Sequence, residues 1–269
     1  MIDGKYLFYY LQWVDVQARI LGLAMGSTVP HLRVADAETF PLEGLLDREI
    51  QEGVGEVLGA LDDKIAANRV LEDKIWKMVD VQARAASSES STRANLGDIA
   101  RLNYGRALPV AERRGGDVAV VGSGGVVGRH DKSIVPGPCV VVGRKGSVGA
   151  TYWLHGPVFP IDTTYWVEPL GVPLLYIYAI LTGTDFAGMS TDSAVPGLNR
   201  DRAYAIPVQL PSPERLTMFE RHTASLVERA GVASAENLCL AATRDELLPL
   251  LMSGKITVKD AEKTVEEVV

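Results

Sequence analysis

Only two cysteines, Cys139 and Cys239, occur in 269 residues, far apart and without metal-ligand spacing. That excludes a disulfide-stapled miniprotein and points to a reducing, cytoplasmic compartment. The four histidines, His31, His130, His155 and His222, are scattered, so no metal site is expected. No apolar run nears the roughly 20 residues that span a bilayer; the longest is Leu174 to Leu181. The stretch Tyr6 to Val14 is aromatic, but Gln12 breaks it, Asp15 closes it and no small-residue cleavage site follows. Neither a signal peptide nor a membrane partner is expected.

Positive charge is also scarce, with 27 Lys and Arg against 34 Asp and Glu and a net charge of −7. The acid forms two blocks, −4 over residues 43–87 and −3 over 214–269, while 95–213 carries +1. A nonspecific nucleic-acid binder would show a broad basic footprint. DNA binding here would need a local patch, helped by a partner.

Catalytic and cofactor motifs are missing as well. The run Gly122-Ser123-Gly124-Gly125-Val126-Val127-Gly128 has GxGxxxG spacing and leads into Arg129-His130-Asp131-Lys132 rather than a helix. A phosphate-binding loop should open a helix. In Gly143-Arg144-Lys145-Gly146-Ser147 the lysine precedes the glycine, unlike a Walker loop. Both runs read as hairpin tips. Asp162 and Glu168 have no lysine to complete a nuclease-like cluster, and neither an Asp/Asn-Pro-Pro-Tyr/Phe run nor a G-x-S-x-G elbow occurs. No cofactor and no intrinsic catalysis are expected.

What the chain does contain is two heptad patterns. Ile50, Val54, Val57, Leu61, Asn68, Leu71, Ile75 and Met78, with Lys64 as the one charged interruption, recur at three- and four-residue steps, as do Leu216, Phe219, Thr223, Leu226, Ala230, Ala233, Asn237, Leu240, Arg244, Leu247 and Leu251. Both read as coiled-coil seams. The first would form a rod of roughly 60 Å. Gly53, Gly55 and Gly59 weaken it, by up to about 1 kcal/mol each, and make sense if another helix approaches closely. Asn68 and Asn237 occupy the same heptad position, where a buried Asn fixes register.

An internal repeat joins the halves. Thr28-Val29-Pro30-His31-Leu32 matches Ala194-Val195-Pro196-Gly197-Leu198 at an offset of 166, as do Phe40-Pro41-Leu42 with Ile206-Pro207-Val208 and Phe8-Tyr9-Tyr10-Leu11 with Leu174-Leu175-Tyr176-Ile177. The helices follow at 169, and the difference falls in Pro211-Ser212-Pro213. Between the repeats, Val118–Val121, Cys139–Val142, Ala150–Trp153 and Thr164–Val167 predict strands, and Leu174–Leu181 predicts a buried helix.

The runs Val121 to Gly128, Val140 to Gly149 and Ile161 to Val167 resemble the target-recognition domain of type I restriction–modification specificity (S) subunits. Ser193 to Asn199 and Ile206 to Pro211 continue the likeness. Leu61 to Ile65 with Asn68 is similar to that family's spacer helix, and Arg244 to Ile256 to the end of its second helix. The resemblance implies an α+β chain: a mixed α/β target-recognition domain plus two long antiparallel coiled-coil helices, with a pseudo-twofold internal repeat. Residues 1–42 would be the C-terminal remnant of a first recognition domain and 43–87 a spacer helix. A complete recognition domain would span 95–213, a second long helix 214–255 and an acidic tail 256–269.

It further implies a non-catalytic subunit that reads part of a split DNA target and docks methyltransferase subunits through its helices, with a restriction subunit as a further candidate partner. The seam would comprise Ile50, Val57, Leu61, Asn68, Ile75, Phe219, Leu226, Asn237 and Leu240. Arg129, His130, Lys132, Arg144, Lys145, Ser147, Ser190, Thr191, Asn199 and Arg200 are the candidate DNA contacts, with Arg106 and Tyr104 behind them. Each is otherwise a solvated loop side chain. The aromatic stretch in 1–42, which has no strands of its own to cover it, is expected to pack against a second copy or a complementing amino-terminal fragment, or to fold back on its own helices. The alternatives to DNA recognition are a coiled-coil adaptor and a truncated subunit without independent DNA binding.

Overall fold

The computed structural model describes residues 2–26, 30–88, 91–186 and 197–266. The chain forms two compact units, Met1–Lys74 with Ala230–Val269, and Ile75–Arg229. Two 40-residue helices, α4 (Arg48–Ser87) and α8 (Pro213–Met252), each contribute to both.

In the first unit, α1 (Gly4–Gln12) starts at Asp3, whose carboxylate accepts from the Tyr6 amide and caps the helix. The chain breaks at Trp13 and continues as α2 (Val14–Leu23), then α3 (Val34–Glu38). Tyr6, Tyr9, Tyr10 and Val16 pack on Val54, Leu58, Leu61 and Ile65 of α4 and on Leu240, Leu247 and Leu251 of α8. The aromatic stretch thus folds back on its own helices. Burying each such side chain contributes about 1.5–3 kcal/mol. The glycines of α4 permit the approach: a Cβ at Gly55 would lie 2.9 Å from Lys5 Cβ, and one at Gly53 2.9 Å from Val258 Cγ1.

Val258 opens α9 (Val258–Glu266), which replaces the expected acidic tail. Thr257 and Asp260 bond each other reciprocally as a capping box. Ala261 is fully buried, and Val258 and Val265 pack against the same core. Three apolar residues at helical spacing thus anchor an otherwise charged segment.

Along α4 the buried side chains of this unit are Gln51, Val54, Val57, Leu58, Leu61, Ile65 and Asn68. Ile50, expected in the seam, is 42% exposed. Gln51 takes the inward place, accepting from the Asp3 amide and donating to the Leu46 carbonyl. From Gln51 the inward stripe continues through Val54, Leu58, Leu61, Ile65 and Asn68 in alternating three- and four-residue steps, so it is a heptad that takes in Gln51, and Ile50, one residue earlier, turns outward. Val57, Leu61 and Leu240 are buried, and Asn237 is half-buried. Asp62 pairs with Arg244 at 2.6 Å and Asn68 donates to Asn237 at 3.1 Å, so the helices run antiparallel.

The second unit begins with the end of α4, where Ile75 and Val79 are buried and Met78 is exposed. Arg215 of α8 donates to the Ala85 and Ala86 carbonyls, satisfying the last turn of α4, so the helices are antiparallel here too. Phe219 is buried, while Leu226 is half-buried beside the more buried Val227. Strand β1 (Thr92–Asn95) pairs with β9 (Pro207–Leu210), and α5 (Leu96–Ile99) leads into β2 (Ala100–Tyr104).

Two sheets follow. One has the order β2, β8 (Thr164–Pro169), β5 (Cys139–Gly143), β6 (Thr151–Leu154), all antiparallel. The other is β4 (Gly125–His130), β3 (Val118–Gly122), β7 (Val158–Pro160), with β3 and β7 parallel. Val121 and Val158 from the second pack on Cys139 and Val141 from the first. Helix α6 (Leu174–Thr182) touches β5, β6 and β8. Every residue of β5 is buried, as a strand covered on both faces requires.

The repeat is structural. Helix α7 (Arg200–Tyr204) stands 166 residues after α3. His31 and Gly197, also 166 apart, each form an isolated bridge, with Met25 and Lys145. Asn95 and Asp98 make the capping box of α5 as Thr257 and Asp260 make that of α9.

Candidate nucleic-acid interface

Loop 143–149 joins β5 to β6. Its backbone is tied at both ends: the Gly143 amide donates to Ala150, Gly149 donates to Gly143, and the Arg144 and Lys145 amides donate to the Thr163 carbonyl. Gly143 cannot be replaced there, because a Cβ would fall 2.0 Å from the Ser147 carbonyl oxygen. The Leu198 amide bonds the Arg144 carbonyl, drawing residues 197–204 onto the loop.

This brings together side chains from three distant segments. The Arg144 guanidinium lies over the Tyr104 ring at 5.3 Å, and the Arg200 guanidinium over the same ring at 5.2 Å. Arg144 donates through Nε and Nη2 to the Asp162 carbonyl, at 3.2 and 2.7 Å, and Arg200 also lies 6.0 Å from the Tyr204 ring. Each guanidinium is therefore within cation–π distance of an aromatic ring while keeping its charge, an arrangement worth about 0.5–1 kcal/mol per contact at exposed sites. Tyr165 backs the group. It is buried, its hydroxyl donates to the Leu198 carbonyl, and burial pushes its pKa up to about 12. It stays a neutral hydroxyl at ordinary pH.

Lys145 and Ser147 are exposed on the same loop. Asn199 is committed to structure through its side-chain oxygen, which accepts from the Arg202 amide and caps α7. Ser190 and Thr191 lie outside the described residues. Arg106 is exposed, its amide bonded to Pro160.

The second expected group, 129–132, stands apart. Arg129 and Lys132 are exposed, and Arg129 donates to the Asp117 carbonyl. Strand β4 carries Arg129 away from the β3–β4 turn, over about 16 Å at 3.3 Å per residue. His130 is buried rather than presented. Its ring meets Phe159 edge-on at 5.5 Å, and Nδ1 accepts from the Arg114 amide. As the last residue of β4 it points inward, so it is no surface contact. Asp131 faces Arg114 at 2.9 Å and offsets part of the local charge. Tyr104, ranked behind the arginines, proves to be the ring both share, while Tyr165 and Tyr204 carried no sequence signal.

Among the described residues no group of three or more His, Cys, Asp or Glu could hold a metal, and no helix is long and apolar enough to cross a membrane.

No protein-family model matches the chain, and no curated protein matches it in sequence. Solved structures do match. The mixed helix–strand architecture with two long helices is that of a type I restriction–modification S subunit. The S subunit from M. genitalium superposes with a TM-score of 0.60 at 21% identity, over 93% of this chain and 72% of that one. The HsdS subunit from Thermoanaerobacter tengcongensis, 14% identical over 93% of this chain and 68% of that one, has a TM-score of 0.38 and is too distant in shape to add to this.

Proposed function

We propose that the chain is a DNA-specificity subunit of a type I restriction–modification system that performs no chemistry itself. One observation carries the reading: Arg144 and Arg200, 56 residues apart in sequence, are held on the single half-exposed ring of Tyr104. They lie beside the exposed Lys145 in a chain that shares its fold with an S subunit. Fixed guanidiniums on rigid backbone suit phosphate and base-edge contacts.

Under this reading residues 95–213 read one half of a split double-stranded target. Methyltransferase subunits dock on the long helices and supply the catalysis and the additional DNA surface that a net charge of −7 calls for, and a restriction subunit joins the assembled complex. A second copy or a complementing fragment would supply the other half-site. The test is selection of duplexes from a randomised library by the full chain, alone and with methyltransferase subunits. Enrichment of a defined sequence is expected in the complex, and a library that emerges unchanged from both would overturn the proposal.

A further inference from the structure

The two glycine turns, separate in sequence, meet in space. A Cβ at Gly146 would lie 3.0 Å from Ser123 Oγ, and one at Gly143 3.4 Å from Ser123 Cβ. Gly146 has φ +77°, a left-handed conformation that only glycine takes without strain. The β3–β4 turn is pinned from the other side, where the Tyr152 hydroxyl donates to the Ser123 carbonyl at 3.0 Å. At its tip, Gly124 has open space: a Cβ there would meet nothing within 4 Å. Behind it on β4, an edge strand, Val126 is 55% exposed and Val127 42%.

We infer that the Ser123–Gly124 turn, with Val126 behind it and Lys145 and Ser147 beside it, is the base-reading element, and that the Arg144–Tyr104–Arg200 stack anchors the phosphate backbone next to it. This rests on the DNA-recognition reading above and deepens it. A two-stranded ribbon fits the major groove, and an exposed apolar side chain there meets a thymine methyl. Both turns are held by hydrogen bonds within the protein, the Tyr152 hydroxyl on the Ser123 carbonyl and the Gly143, Arg144, Lys145 and Gly149 amides on main-chain carbonyls, which limits the conformational freedom lost on contact. Neither Ser123, Gly124 nor Val126 carries charge, so they can contribute discrimination but little nonspecific attraction. The arginines do the reverse.

The experiment repeats the library selection with the methyltransferase-bound full chain carrying Gly124→Asn, Ser123→Ala or Val126→Ser. Gly156→Asn serves as control: its Cβ also meets nothing within 4 Å, and it lies beyond the far end of β6. The turn variants are expected to lose about ten-fold discrimination, or to change preference, at one or two adjacent base pairs, with binding to random duplex unchanged. The control keeps the wild-type motif. Arg144→Ala and Arg200→Ala are expected to weaken all sequences by a common factor and to lower the salt slope by about 1 each. If all three turn variants return the wild-type motif with wild-type discrimination, or if the arginine variants alone change the motif, the assignment is overturned. A wild-type protein that enriches nothing overturns the underlying DNA reading instead, so the two failures are distinct.

Discussion

Tyr10 and Tyr176, 166 residues apart, make the same hydrogen bond. Each hydroxyl donates at 2.7 Å to the main-chain carbonyl 33 residues further on, Glu43 in one case and Gln209 in the other. Both rings are buried, so the bond closes each unit at the entry to its long helix. Replacing either with Phe leaves a carbonyl without its donor. Tyr10→Phe and Tyr176→Phe should each cost about 1 kcal/mol in urea unfolding of the full chain. Hydrogen exchange should show the loss in the unit that carries the change. A neutral effect at both would remove the bond from the account of the repeat.

Asn68 and Asn237 should behave as a coupled pair. Asn68 also donates to Glu236 at 2.6 Å, and Asn237 to Glu72 at 3.3 Å. Asn68→Leu should destabilise by about 1–3 kcal/mol, because it strands polar groups in a largely buried seam. The double change with Asn237→Leu should recover part of that loss. A double-mutant cycle in which the two effects simply add would show that the pair is not coupled.

The exposure of Ile50 gives its expected place in the seam to Gln51. Ile50→Asn should alter stability by less than about 0.5 kcal/mol, as surface changes do. Leu61→Ala should cost about 2–5 kcal/mol through cavity formation. Equal losses in thermal unfolding would return Ile50 to the seam.

Much of this fold was legible in local pattern. The predicted strands correspond to β3, β5, β6 and β8, and the buried helix to α6, because apolar runs of four to eight residues between glycine and proline turns leave few alternatives. What escaped was non-local. Helix α9 shows only Val258, Ala261 and Val265 as apolar anchors, and the core they join includes α1 and α4 residues some 200 or more positions earlier. His130 looked like part of a charged loop, but it ends a strand whose register shifts at a bulge between Val120 and Val121. The stack on Tyr104 joins three segments that no spacing rule links. For the aromatic stretch of α1 the pattern left a second copy, a complementing fragment and folding back on its own helices open; the last is what forms, and the positions matching Tyr178 and Leu181 of α6 are Gln12 and Asp15, which suit water and are both exposed.

His155 gives a pH dependence. It sits beside Trp76 and Trp153, with ring centroids 6.4 and 6.2 Å away, and burial lowers its pKa below the ordinary 6.5. The folded protein therefore holds fewer protons at this site than the unfolded chain once the pH falls below about 6.5. Its contribution is fully present above that pH and declines as the pH drops toward the depressed folded value. Tryptophan-monitored unfolding from pH 7.5 to 5.5 should show a loss that His155→Gln reduces. Identical pH profiles for the two proteins would exclude the effect.

The most direct test of the central claim is a salt titration of the full chain, in complex with methyltransferase subunits, on its selected duplex and on a scrambled duplex of equal length. The account predicts a preference of about 10³-fold or more for the selected duplex, in the range of specific over nonspecific DNA binding. It also predicts a negative salt slope on both duplexes that Arg144→Ala with Arg200→Ala reduces by about 2. Equal affinity for the two duplexes, or a slope the double variant leaves unchanged, would contradict it.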